Sequence, residues 1–169
     1  KSGDRLIKFD LPIIEGREDL KEAYTNGFYS GDGCCFKGRQ MNYLYHEKRN
    51  LLGKLGAIHR VYEDDNRNRT VVTHDGSLKD KYFVPTANYT IDSRIKWLAG
   101  ICDSDGTVSR NGDTESLQLG SIHLTFLQEI QLMLQTLGVT STINTGVAEG
   151  YREMPLNNGT GENGLFYCQ

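Results

Sequence analysis

Apolar residues recur along this chain in short runs whose spacing alternates between a helical and a strand-like period. Ile91, Ile95, Leu98 and Cys102 fall on one helical face and predict a helix over 92–104. A similar stretch predicts a helix over 17–31. Each helix leads into two strand-like runs, 35–39 with 40–46 and 107–111 with 116–122. Two Leu-Gly stretches, 51–57 and 133–139, then read as helix ends closed by glycine. Further strand signals follow, 58–62 with 70–74 and 139–145 with 165–168, and 157–164 reads as a loop.

The order therefore occurs twice, and two pairs of segments carry the repeat. Asn26-Gly27-Phe28-Tyr29-Ser30-Gly31-Asp32-Gly33 matches Ala99-Gly100-Ile101-Cys102-Asp103-Ser104-Asp105-Gly106. Leu51-Leu52-Gly53-Lys54-Leu55-Gly56-Ala57 matches Met133-Leu134-Gln135-Thr136-Leu137-Gly138-Val139. The first pair is offset by 73 residues and the second by 82, so the later copy has nine extra residues in its hairpin. The expectation is an α+β protein of two pseudo-symmetric αββαββ(α) repeats. A lead-in spans 1–16, the first half 17–85 and the second half 86–169, which ends without a last helix.

Charge changes this picture slightly. The net charge is −3, but residues 1–96 carry 17 Lys and Arg against 14 acids, and 97–169 carry two against eight. A basic front half suits a phosphate backbone. No apolar run is long enough to span a membrane, and no signal peptide is visible. Cys34, Cys35, Cys102 and Cys168 form no C-x-x-C pair, which argues against structural zinc and for reduced thiols in an intracellular protein, cytoplasmic or nuclear.

The candidate chemistry sits at the two Asp-Gly ends. The last turn of a helix carries partial negative charge from unpaired carbonyls, so a carboxylate there costs about 0.3–1 kcal/mol. Asp32 and Asp105 both occupy that position, and a bound cation reverses the sign. Two carboxylates, with the carbonyls of Gly31 and Ser104 nearby, suit Mg²⁺ or Mn²⁺. Gly27 with Gly31, and Ala99 with Gly100, are small enough to let the two helices pack side by side and bring both carboxylates to one end. Paired metal-binding carboxylates can activate water against a phosphodiester.

Trp97-Leu98-Ala99-Gly100-Ile101-Cys102-Asp103-Ser104-Asp105-Gly106 resembles the signature of the LAGLIDADG homing endonucleases, and Thr25 to Gly33 resembles a first copy of it. Lys81-Tyr82-Phe83-Val84-Pro85 resembles the basic-aromatic-Pro element preceding that motif in intein endonucleases, and Leu134 to Val139 the family's Leu-Leu-x-x-Leu-Gly element. The opening Lys1 to Ile7 resembles the passage from an intein's splicing domain into its endonuclease. The resemblance covers about residues 17–145. It implies a monomer with a saddle of antiparallel sheets around a central helix pair, set within an intein host protein and acting on a long, specific double-stranded DNA.

By the same resemblance Asp32 and Asp105 bind metal and position water, while Asp103 and its counterpart Ser30 support the helix junction. It makes Lys81 the basic partner of the first motif, with Lys79 as its rival. No lysine follows Lys96, so the second motif is expected to lack that partner, which leaves room for a nicking or inactive protein. Lys37, Arg39, Gln40 and Asn42, with Ser109, Arg110, Asn111 and Gln118, are the expected DNA contacts from the saddle.

Other readings fit less well. An EF-hand beginning at Asp103 needs Gly at its sixth place and Glu at its twelfth, where Val108 and Thr114 stand. Binding without cutting, or an RNA-splicing maturase, commonly goes with loss of one metal Asp, and both are kept. Self-splicing is not expected of a chain running from Lys1 to Tyr167-Cys168-Gln169.

Overall fold

Helix α2 (Ile91–Asp105) is opened by Thr90, whose hydroxyl accepts the Ser93 amide, and Asp92 in its first turn favours the positive end of the helix dipole. Helix α1 spans Ala23–Asp32, six residues shorter at its start than the sequence suggested. The reason is non-local. The Arg17 and Glu18 amides donate to the Asn88 carbonyl and the Thr90 amide donates to Glu18, so this backbone is already paired. Glu22, with φ of 50°, then turns the chain into the helix. The computed structural model of the protein describes residues 12–144, 150–156 and 162–168, so the expected lead-in lies outside the described residues except for 12–16.

The two helices pack directly on each other, and glycine decides how closely. A methyl carbon on Gly27 would lie 1.9 Å from the Trp97 carbonyl oxygen, and one on Gly100 would lie 2.0 Å from that of Tyr24. Gly31 faces the Ser104 hydroxyl and the Asp105 carboxylate. Ala99, expected at this contact, is instead exposed, because it lies one position off the stripe that meets α1. That stripe is Ser93, Arg94, Trp97, Gly100, Ile101 and Ser104; the face carrying Ile95 is the more exposed one. Gly33 and Gly106 end the helices in extended backbone, so they are not the left-handed caps that glycine often provides.

Following α1 come β1 (Gly33–Phe36) and β2 (Arg39–Tyr45), a 3₁₀ helix (His46–Lys54), β3 (Ile58–Asp64) and β4 (Arg69–His74). They form an antiparallel sheet in the order β1-β2-β4-β3. The 3₁₀ helix stands where an α-helix was expected. Its run His-Glu-Lys-Arg-Asn-Leu-Leu-Gly-Lys contains Gly53, whose helix propensity is low, and buries no residue fully, with Leu51 and Leu52 half-buried against the neighbouring apolar cluster. After α2 the same order returns with β5 (Gly106–Asn111), β6 (Thr114–Leu119), α3 (Leu124–Gln135), β7 (Gly150–Pro155) and β8 (Asn163–Cys168). Among the described residues β5-β6 and β7-β8 are separate antiparallel hairpins.

The strand expected over 139–145 is not formed at 139–144, and 145 lies outside the described residues. Gly138, at φ +76°, folds the chain back so that the Val139 amide bonds the Leu134 carbonyl, and Gln131 holds the Ser141 carbonyl. The partner of β8 is therefore β7, while 157–161 of the expected loop lie outside the described residues.

Two apolar clusters flank the helix pair. Phe28, Leu44, Leu55 and Val72 join α1 to the four-stranded sheet, and Trp97, Ile101, Phe126, Ile130 and Met133 join α2 to α3. Arg94 is wholly buried and bonds the carbonyls of Tyr89 and Ile14 and the Thr136 hydroxyl, which fastens 12–16 and the end of α3 to α2.

Within the sheet, buried His74 lies 2.8 Å from the Asn42 amide oxygen. Burial pushes its pKa down, while the Ala57 and Gly56 backbone opposes this. A depressed folded value contributes stability that is present above the usual histidine value of about 6.5 and is lost as pH falls from there through the folded value. Chemical denaturation of the wild type should therefore show falling stability below about pH 6.5, and His74→Gln should flatten that dependence.

Candidate active site

The packing of α1 on α2 determines where their last residues go. Asp32 ends α1 and Asp105 ends α2, and the Gly31–Ser104 contact sets the two ends side by side. The Asp105 carboxylate lies against Gly31, the residue before Asp32. The Asp105 pKa is held above the ordinary carboxylate range, mostly by desolvation and then by the charge of Asp32, with Lys48 and Lys81 pulling it down. Two carboxyl groups set side by side form a site that attracts cations.

Two ammonium groups already reach it. Lys81 donates to the Gly31 carbonyl at 2.6 Å and to the Gly33 carbonyl at 2.5 Å. Burial lowers its pKa, and Asp105 and Asp32 counter that effect. Lys79, the sequence rival, points elsewhere, with its ammonium 5.7 Å from the Phe83 ring. Lys48 contacts the Asp32 carboxylate and donates to the Ser104 carbonyl at 2.7 Å. A lysine from outside the second half thus reaches the helix end of the second motif. It comes from the first half's 3₁₀ helix, and no local signal in the sequence connects Lys48 with Ser104 across 56 positions.

The remaining motif residues brace this junction. Ser30 is buried and donates to the Asn26 and Phe83 carbonyls. Asp103 accepts the Tyr24 hydroxyl at 2.7 Å and the Lys54 ammonium at 3.0 Å. Thr25 and Asn26 accept the backbone amides of Gly56 and Lys79.

The donor set suits a hard divalent ion. Among the described residues no group of three or more His, Cys, Asp and Glu is placed to hold a metal. Two carboxylates with water and a phosphate completing the shell match Mg²⁺ or Mn²⁺. The Gly31 and Ser104 carbonyls lie at the site, where each now accepts a lysine ammonium.

Strand alternation sorts the expected DNA contacts. Leu44 and Val72 pack toward α1, so Asn42 and Gln40 point the same way. Asn42 is fully buried on His74, and Gln40 holds the Leu78 and Lys79 carbonyls, so the proposed outward position of this pair is corrected. Arg39 and Tyr43 lie on the opposite face with Arg60 and Tyr62, and Lys37 stands at the hairpin turn. In the second half Ser109, Asn111 and Gln118 share one polar face with Thr107 and Ser116. Arg110 lies on the other face with Val108, paired to Glu115 at 2.8 Å, which corrects its grouping with them.

Residues 92–165 match the model of a LAGLIDADG-like domain. The chain is 41% identical, over 92% of its length, to part of the ribonucleoside-diphosphate reductase large subunit of Invertebrate iridescent virus 6. It is 24% identical, over 94% of its length, to part of the ribonucleoside-diphosphate reductase NrdEB subunit alpha of Bacillus subtilis (strain 168). The matched regions are 16% and 18% of those two relatives. No solved structure is a significant match.

Proposed function

Since the chain carries a LAGLIDADG-like domain, we propose that it is a sequence-specific, metal-dependent DNA endonuclease inserted as part of an intein in a ribonucleotide reductase large-subunit precursor. The observation that carries the reading is the meeting of Asp32 and Asp105 at adjoining helix ends, with two lysines against them. Asp32 and Asp105 would hold Mg²⁺ or Mn²⁺ there. When bound, that ion lowers the pKa of water and offsets charge on the phosphate. Lys81, whose ammonium is destabilised by burial, would neutralise charge on the phosphate as water adds to phosphorus and one phosphorus–oxygen ester bond breaks, and could give its proton to the leaving oxygen.

The duplex would lie on the sheet faces turned away from the helices. Arg39, Arg60 and Tyr62 would meet it from one half, and Ser109, Asn111 and Gln118 from the other, with Lys37 on phosphate. The protein would act as a monomer, because both motifs belong to one chain. Among the described residues no helix is long and apolar enough to cross a membrane.

Binding selection from randomised duplexes, followed by incubation with Mg²⁺, tests the proposal. Cleavage that stops with a chelator is the expected result, and the logarithm of affinity should fall linearly with the logarithm of salt. Tight binding with no cleavage in Mg²⁺ or Mn²⁺ would favour a DNA-binding protein without nuclease activity. The ground for an inactive second motif, its missing lysine, is weakened by the position of Lys48.

A further inference from the structure

Lys48 belongs to the first repeat in sequence and to both motifs in space. Its ammonium touches the Asp32 carboxylate at the end of α1 and the Ser104 carbonyl at the end of α2. No second-half residue can supply this charge as an ammonium, since the last lysine is Lys96, which pairs with Asp92 one turn away near the opposite end of α2. The 3₁₀ helix that carries Lys48 is fastened to α2 a second time by Lys54 on Asp103. The Lys48 side chain is 35% exposed, so its head group can move to solvent without disturbing a core. A carboxylate and a helix-end carbonyl, both oxygen donors facing one positive charge, are also what a divalent ion would take.

Resting on the metal reading above, we propose that Lys48 is the resident cation of this site. It fills the position between the two motifs in the metal-free protein and competes with divalent metal for Asp32. It also lends the second motif the positive charge that its own half lacks. Lys81 differs, because it bonds backbone carbonyls on the first motif and no carboxylate.

The test needs no DNA. Mn²⁺ binding to the full chain is followed by the electron paramagnetic resonance of free Mn²⁺ in the wild type, Lys48→Gln, Lys48→Arg and Asp32→Asn. Removing the competing charge should tighten Mn²⁺ binding about tenfold or more in Lys48→Gln, and Lys48→Arg should bind as the wild type does. A folded Lys48→Gln that binds no more tightly, or a Lys48→Arg that shifts as far as Lys48→Gln, overturns the proposal. A second measurement uses the wild type alone. Acetylation of Lys48 by an amine reagent, read by mass spectrometry, should accelerate when Mg²⁺ is added, and an unchanged rate overturns the proposal even if a variant fails to fold. Mn²⁺ binding that is lost in Asp32→Asn but unaltered in Lys48→Gln defeats only this inference. Failure of every protein to bind Mn²⁺ defeats the metal reading with it.

Discussion

Asp105→Asn is expected to lower DNA cleavage by on the order of 10² to 10³-fold while leaving affinity for the duplex nearly unchanged. The amide keeps the size and place of the carboxyl at the end of α2 but loses the charge that would hold a divalent ion beside Asp32. The proposed DNA contacts lie on the sheet faces, so binding should not depend on this side chain. The same variant carries a second, opposite signature. The pKa of Asp105 is raised in the folded protein, so its contribution is fully present below the ordinary carboxylate value and is lost as pH rises through the folded value. At neutral pH without metal, Asp105→Asn should therefore melt higher than the wild type, and added Mg²⁺ should stabilise the wild type more than the variant. Thermal melts with and without Mg²⁺, run beside strand cleavage, read both effects. A variant that cuts as well as the parent removes Asp105 from the chemistry.

Gly100→Val should cost about 3 kcal/mol or more, because the contact it disrupts is backbone against backbone. The first added carbon would already lie 2.0 Å from the Tyr24 carbonyl oxygen and 2.7 Å from the Phe28 amide nitrogen. No side-chain rotation relieves contacts with main-chain atoms, so α1 and α2 must separate, and Gly27 facing Trp97 has the same constraint. Such a loss corresponds to a fall in melting temperature of roughly 6–12 °C for a domain of this size. Ala99→Gln, one position away on the exposed side, should stay within about 0.5 kcal/mol of the wild type. Since the helix pair also aligns Asp32 with Asp105, any Gly100→Val that remains folded should lose cleavage with it.

Much of this site was legible because its signals are local. The Asp-Gly ends, the glycines that permit close helices and the two hairpin turns are each written within a few residues. Duplication then placed Asp32 and Asp105 at equivalent points. What escaped depends on contacts between distant segments. Residues 17–22 could have continued α1, but the backbone of 88–90 uses them first. Val139 and its neighbours have strand-like side chains, yet Gly138 turns them onto α3. Asn42 and Arg110 look outward in a list of polar residues, and only the register shows one buried on His74 and the other on the far face of its hairpin. Lys48 was missed for the same reason, since a search within the second repeat cannot find a lysine supplied by the first. In each case the local chemistry was readable and its partner was not.

One divalent ion is proposed to sit between the two helix-end carboxylates. Crystals of the full chain grown with Mn²⁺, measured at a wavelength where manganese scatters anomalously, would locate it directly. A peak at metal–oxygen bonding distance from carboxylate oxygens of both Asp32 and Asp105, absent in Asp105→Asn, is the expected result. A peak at another place on the protein, or none between these two residues at saturating Mn²⁺, would contradict it.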